Sequence, residues 1–315
     1  MDFGEAVIGS GERAIGDFIA GGYHSFGEVV DAEAADPEAA TVLLNEIRAL
    51  RRFDSSLFLS EPEFDADPQY KGVNPKPGRN LLERFEPRLG LVESQPHITH
   101  AMEAMLGPGY EILDKKLVCG VPATAVPAWL KARIHGNPVN NLGAYVRPEH
   151  RDITYFYGID FHQDLIDHPS READFVTLYV YLHDVEHHDA PLFLLENSHQ
   201  FGGAIFPHKL KREWEGYWSY SDGRGQECRA RQLMLTGKAG FAAMWHACTL
   251  HGTQPDAADR ERISLRYLLA KREGVTAGID RVNARIQGPL SLDATRADLA
   301  DDGSAQIRAN SVNAA

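Results

Sequence analysis

Cysteine is scarce in this chain. Three occur in 315 residues (Cys119, Cys228 and Cys248), none in C-x-x-C spacing, and an odd number leaves one over from any pairing. That fits a reducing interior better than a disulfide framework. Basic residues are also in deficit, with 32 Lys and Arg against 45 Asp and Glu and a formal charge of -13. Nucleic-acid and anionic-membrane surfaces need clustered cations, so neither partner is expected. No apolar run approaches the ~18–20 residues that span a bilayer. Met1-Asp2-Phe3-Gly4-Glu5 shows neither the basic nor the apolar region of a secretory signal, so a cytoplasmic, soluble protein is the expectation. What is present is ordinary for a folded core: 43% hydrophobic and 24% charged residues.

Periodicity divides the chain. Ala39 to Leu50 places apolar residues at helical spacing, and Pro96 to Met105 reads as a helix stopped by Gly107-Pro108-Gly109. Gly9-Ser10-Gly11 and Gly16 lack the G-x-G-x-x-G spacing of a dinucleotide loop and read as loop chemistry. Ser60 to Asn80 is rich in Pro, Asp and Gly and reads as an irregular connection. Tyr110 to Val121 reads as a first core strand, a polar Pro/Asn-rich passage runs from Ala132 to Arg151, and after it the period becomes two. In Phe175 to Leu182 one face carries Val176, Leu178, Val180 and Leu182, and the other Phe175, Thr177, Tyr179 and Tyr181. An aliphatic face and a hydroxyl-bearing aromatic face fit a strand that packs outward and lines a pocket inward. Pro191 to Leu195, Gly240 to His246 and Arg262 to Leu269 continue the set, after a charged, Trp- and Tyr-containing excursion from Pro207 to Gly237. Helices followed by strands indicate α+β in a single domain over 1–315. Its parts are an N-terminal helical region to about 105, a β-rich core over about 106–272 and a polar tail from about 273.

Within the core, Phe161-His162-Gln163-Asp164 carries a His-x-Asp. Residues two apart in a strand share a face roughly 6.5–7 Å apart, so His162 and Asp164 can converge on a metal. A second histidine would complete the two-His, one-carboxylate face of non-heme Fe(II) oxygenases. His246 and His251 both compete for that place. The plainer alternative is a hydrogen-bonded His–carboxylate pair, with His246 a satisfied core residue. His183, His187 and His188 lie in the acidic turn His-Asp-Val-Glu-His-His-Asp, which reads as a solvated loop.

Taken in order, Phe161-His162-Gln163-Asp164, Tyr181 to Val185, Ala190 to His199, Leu250-His251-Gly252-Thr253 and Arg262-Ile263-Ser264 resemble the phytanoyl-CoA dioxygenase-like family of Fe(II)/2-oxoglutarate-dependent oxygenases. Glu196-Asn197 stands where that family usually has Pro-Gly, before Ser198-His199. The resemblance implies a double-stranded β-helix (jelly-roll, cupin-like) core flanked by N-terminal helices. It implies His162, Asp164 and His251 as catalytic iron ligands. Arg262 becomes the partner of the distal carboxylate of 2-oxoglutarate, with Arg266 on the same face as fallback. Thr253 and Ser264 would be hydroxyl donors and Tyr179 would lie near the co-substrate; family members often add a lysine from an earlier strand, for which Lys115 and Lys116 are candidates that the resemblance does not assign. The implied reaction consumes O2 and 2-oxoglutarate, releases succinate and CO2, and oxidises a C–H bond of a small-molecule substrate. Hydroxylation is favoured, because related halogenases have a small residue where this chain has Asp164. Two other readings remain at this stage: a cupin-like metal enzyme without 2-oxoglutarate, and a non-catalytic jelly-roll binding protein.

Overall fold

The computed structural model describes residues 3–27, 39–66, 85, 89–90, 92–214, 216–253, 260–300 and 306. Most of the 60–80 connection and of the final fifteen residues therefore lies outside the described residues.

The chain opens with helix α1 (Phe3–Gly21), then β1 (Tyr23–Gly27), α2 (Ala39–Leu50), α3 (Glu61–Ala66) and α4 (Pro96–Leu106). The early glycines, expected in a loop, lie inside α1 instead. Gly11 shows why: a Cβ there would sit 2.6 Å from the Ala104 Cβ, so the glycine lets α1 approach α4 closely. β1, which helical periodicity did not anticipate, joins the main sheet as an edge strand. The stop after α4 is as read, with Gly107 at φ 85° and its N–H returned to the Glu103 carbonyl.

The rest of the sheet comprises β2 (Glu111–Gly120), β3 (Val139–Asn141), β4 (Thr154–His162), β5 (Phe175–Tyr181), β6 (Leu192–Leu195), β7 (Lys209–Trp214), β8 (Tyr217–Ser221), β9 (Glu227–Leu235), β10 (Ala242–His246), β11 (His251–Thr253) and β12 (Arg262–Ala270). Helix α5 (Ala128–Ile134) separates β2 from β3, and α6 (Gly278–Asn283) follows β12. The order β1-β10-β5-β12-β2-β4-β11-β6-β9-β8-β7 joins strands far apart in sequence, with β3 beside β4. All pairings are antiparallel except the short β2–β4 contact. This is the jelly-roll core, wound so that strands from both halves of the chain face one interior.

The two-faced strands behave as their alternation requires. Val176, Leu178, Val180, Ile263, Leu265 and Tyr267 join Phe18, Ile47 and Met102 in the outer, helix-covered core. Tyr179, Tyr181, Val118, Leu194 and Trp245 form a separate interior cluster. The 207–237 excursion is a meander of three strands, β7 to β9, paired to the core through β6–β9. Trp218 and Tyr220 pack with Phe161 and Phe193, whereas Trp214 stays 51% exposed beneath the Arg229 guanidinium.

Candidate active site

β4 ends at His162, and antiparallel pairing places His251 of β11 directly opposite it. Their rings lie 4.1 Å apart, and Asp164 follows one short step beyond. His162, Asp164 and His251 each present a ligand atom, all within 4.8 Å of one another, and no other such cluster occurs among the described residues. Gly252 makes this approach possible. A Cβ there would meet the Ile159 carbonyl at 2.6 Å and the Phe193 ring at 2.7 Å. His251 is thereby chosen over His246, which faces away. His246 bonds Asn283 at 2.9 Å and accepts the Cys248 N–H at 3.1 Å.

Both imidazoles are set for ligation. Nδ1 of His162 donates to the Asp160 carbonyl and Nδ1 of His251 to the Thr249 carbonyl, each at 3.0 Å. Each Nε2 is therefore an unprotonated acceptor turned toward the cluster, as metal-binding histidines require. Burial pushes the pKa of both rings down, outweighing the Asp164 carboxylate, which acts upward, and the Arg266 charge adds to the lowering. For Asp164 burial acts upward, but His251, Arg266 and His162 outweigh it and hold the carboxyl well below the usual carboxylate range. A buried anion beside two neutral imidazoles is a donor set for a divalent metal.

Three further side chains hold Asp164 in place, and the linear sequence did not single out their role. Trp245 Nε1 donates to Oδ2 at 3.0 Å, and the Thr177 hydroxyl donates to the same oxygen. Arg266 Nη2 donates to Oδ1 at 2.5 Å. Arg266, the fallback of the sequence reading, is thus engaged by the carboxylate of the cluster. The signal lay in register: Trp245 pairs with Thr177 across β10 and β5, and Arg266 with Tyr179 across β12 and β5. Gln163, between the two ligands, points the other way. It donates to the Gly202 and Cys248 carbonyls at 2.8 and 2.7 Å and accepts the Ala204 N–H, which fixes the end of β4.

Arg262 and Ser264 share the interior face of β12. Arg262 is 1% exposed, yet its Nε and Nη1 find no hydrogen-bond partner among the described residues, and neither does the Ser264 hydroxyl. The guanidinium is hydrogen-bonded to the Tyr181 side chain, but a buried charge lacking an ionic partner costs about 3–5 kcal/mol, so its two unmatched nitrogens imply an anion to receive. Gly120 lies opposite in register and leaves space beside the guanidinium. Tyr179 lies between this group and the metal cluster, with its ring 5.7 Å from Arg262 Cζ and stacked on Trp245 at 5.9 Å. Trp245 in turn contacts His251 at 4.9 Å. The Thr253 hydroxyl donates to the Ala190 carbonyl at 3.0 Å, so its proton is already in use. Of the two lysines, Lys115 pairs with Glu93 at 3.2 Å, while Lys116 stands opposite Arg266 and pairs with Asp114 at 3.2 Å.

A jelly-roll carrying a two-histidine, one-carboxylate face, with a buried arginine nearby that keeps two nitrogens unmatched, belongs to the class of non-heme metal oxygenase folds. The profile of the phytanoyl-CoA dioxygenase (PhyH) family matches residues 23–264, and the chain belongs to that family. A probable alpha-ketoglutarate-dependent hypophosphite dioxygenase of Stutzerimonas stutzeri is 27% identical over 113 residues, 35% of this chain and 38% of that protein. The match thus spans well under half of the relative's length. Among solved structures, AviO1 from Streptomyces viridochromogenes Tue57 is 15% identical with a TM-score of 0.46, covering 85% of this chain and 97% of the other. The epimerase SnoN in complex with Fe3+, alpha ketoglutarate and nogalamycin RO is 14% identical with a TM-score of 0.46, covering 93% and 98%. Among the described residues, no helix is long and apolar enough to cross a membrane.

Proposed function

We propose that the chain is a Fe(II)/2-oxoglutarate-dependent oxygenase that oxidises, most simply hydroxylates, a C–H bond of a small-molecule substrate. The observation that carries this reading is the pairing of two sites across one interior. One is a neutral-imidazole, carboxylate cluster suited to a divalent metal, and the other a buried guanidinium with unpaired N–H groups. His162, Asp164 and His251 would hold Fe(II). When bound, iron and 2-oxoglutarate together supply the oxidative decarboxylation that activates O2 and yields succinate and CO2.

The chain's own residues supply orientation and exclusion of water. Arg262, assisted by Ser264, receives the distal carboxylate, for which a planar guanidinium is the better partner. Tyr179 and Trp245 wall the path between the anchor and the cluster with aromatic surface. Thr177, Trp245 and Arg266 keep the Asp164 carboxylate in one orientation. Asp164 fills the carboxylate position, so a halide is not expected to take a place beside the metal.

Succinate release from 2-oxoglutarate by the Fe(II)-reconstituted protein, screened against candidate substrates, tests the reading. Substrate-stimulated succinate formation that disappears in Asp164→Ala supports it. Turnover retained by that variant contradicts it.

A further inference from the structure

The turn after β5, His183-Asp184-Val185-Glu186-His187-His188-Asp189, reads as a solvated loop in the sequence. His183 is buried instead, 7% exposed, and both its ring nitrogens are engaged. Nδ1 donates to the Asp184 carbonyl at 2.8 Å, and Nε2 accepts the Ile263 N–H at 3.0 Å. Only the neutral ring protonated at Nδ1 can make both bonds.

This contact falls where β12 leaves β5. Ser264 still pairs with Tyr181, and the Leu182 N–H donates to the Ile263 carbonyl at 3.2 Å. In a regular antiparallel pair the bond would be returned between the same two residues. Here the His183 imidazole takes the Ile263 N–H instead. On the other side of Arg262, Arg260 reaches the same turn. Its Nη2 donates to the Asp184 carbonyl at 3.1 Å, and Nε and Nη2 each reach the Asp189 carboxylate at 2.8 Å. Asp189 is itself tied back, accepting the Glu186 N–H at 2.8 Å. The backbone is therefore pinned to one turn at Ile263, just after Arg262, and held by the side chain of Arg260, two residues before it.

We propose that His183, together with the Arg260–Asp189 pair, is a positioning clamp for Arg262: it fixes the start of β12 so that the buried guanidinium is already aimed at the distal carboxylate of 2-oxoglutarate. This rests on the assignment of Arg262 given above. A free strand end could fray and let a long side chain swing; a strand end held on both sides keeps the fork oriented before the ligand arrives, which lowers the ordering cost of binding. His183 touches neither metal nor co-substrate in this account, and it acts through the Ile263 N–H.

The test is calorimetric binding of 2-oxoglutarate to Mn(II)-loaded protein, compared with KM and kcat of the Fe(II) enzyme. The set is wild type, His183→Ala, His183→Gln, Asp189→Asn and Arg262→Ala. His183→Ala is expected to weaken 2-oxoglutarate binding about tenfold and raise its KM to match, with kcat at saturation and Mn(II) affinity near wild type. His183→Gln, whose amide oxygen can accept the Ile263 N–H, should recover most of the loss. Asp189→Asn, with His183 intact, should weaken binding several-fold and carries the test if His183→Ala does not fold. Wild-type affinity in both His183→Ala and Asp189→Asn overturns the clamp, as does an equal loss of metal and co-substrate affinity. Failure of the wild type to bind 2-oxoglutarate, or full binding by Arg262→Ala, overturns the Arg262 assignment and the clamp with it.

Discussion

Arg266 Nη2 lies 2.5 Å from Asp164 Oδ1, while Trp245 and Thr177 occupy Oδ2. The carboxylate of the candidate metal cluster is thus held on both oxygens by side chains from three strands, β5, β10 and β12. Groups that orient metal ligands typically contribute about 10–100-fold in metal affinity or activity. Trp245→Phe and Thr177→Val should each weaken Fe(II) or Mn(II) binding by roughly that range while leaving the fold intact. Metal titrations with circular dichroism as the folding control check this. Unchanged affinity in both variants would remove them from the site.

Arg262 gives a different signature. Arg262→Ala should raise KM for 2-oxoglutarate on the order of 100-fold or more, because truncating one side of a buried charged pair costs about 2–5 kcal/mol. Metal affinity should barely change, since the residue lies behind Tyr179. Arg262→Lys should recover only part of the loss, because an ammonium cannot form the two-pronged contact. Steady-state kinetics with 2-oxoglutarate varied separates these outcomes.

Gly252 predicts a steric effect. The backbone oxygen of Ile159 would lie 2.6 Å from an added Cβ, and backbone cannot rotate away as a side chain can. Gly252→Ala should push β11 off β4, displace His251 and lower metal affinity at least about tenfold, the lower end of what losing a ligand's orientation costs. Metal binding by the variant at wild-type strength would contradict this.

Acid should destabilise the metal-free protein through buried histidines other than His162 and His251 of the cluster. Burial holds His199 and His208 down to about 3 and His246 to about 4. These groups are neutral when folded and titrate near pH ~6.5 when unfolded. The unfolded chain therefore binds more protons over that interval, and stability falls as pH drops from about 6.5 toward the folded values. Neither ring nitrogen of His208 finds a partner among the described residues, and aromatic Phe206 and Tyr220 flank the ring. His208→Phe should flatten the pH dependence of Tm between pH 7 and 5, whereas a slope equal to wild type would show that His208 does not contribute.

Local features were the most legible in the sequence. The two-residue alternation of β5 and β12 identified both their outer and interior faces, because the pleat enforces it whatever the partner strand. Gly107 marked the end of α4 through its own conformational freedom. The His-x-Asp pair was visible as spacing, but the choice of His251 over His246 came with the family resemblance, and the structure explains it by the pairing of β11 with β4. What escaped depended on strands meeting from distant parts of the chain. Thr177, Trp245 and Arg266 converge on Asp164 from positions 13, 81 and 102 residues away. His183 read as solvated because its neighbours are acidic, yet its partner is a backbone N–H 80 residues on. The polar 207–237 stretch concealed three strands, since outer β7 to β9 residues are largely exposed and carry little apolar alternation.

The central claim is that one interior holds both a metal and 2-oxoglutarate, and anaerobic titration of the Fe(II) protein with 2-oxoglutarate tests it most directly. The account predicts a visible charge-transfer band that saturates at one equivalent, is lost in His162→Ala and Asp164→Ala, and needs far more 2-oxoglutarate in Arg262→Ala. A wild-type protein that binds Fe(II) at this site yet develops no such band would contradict it.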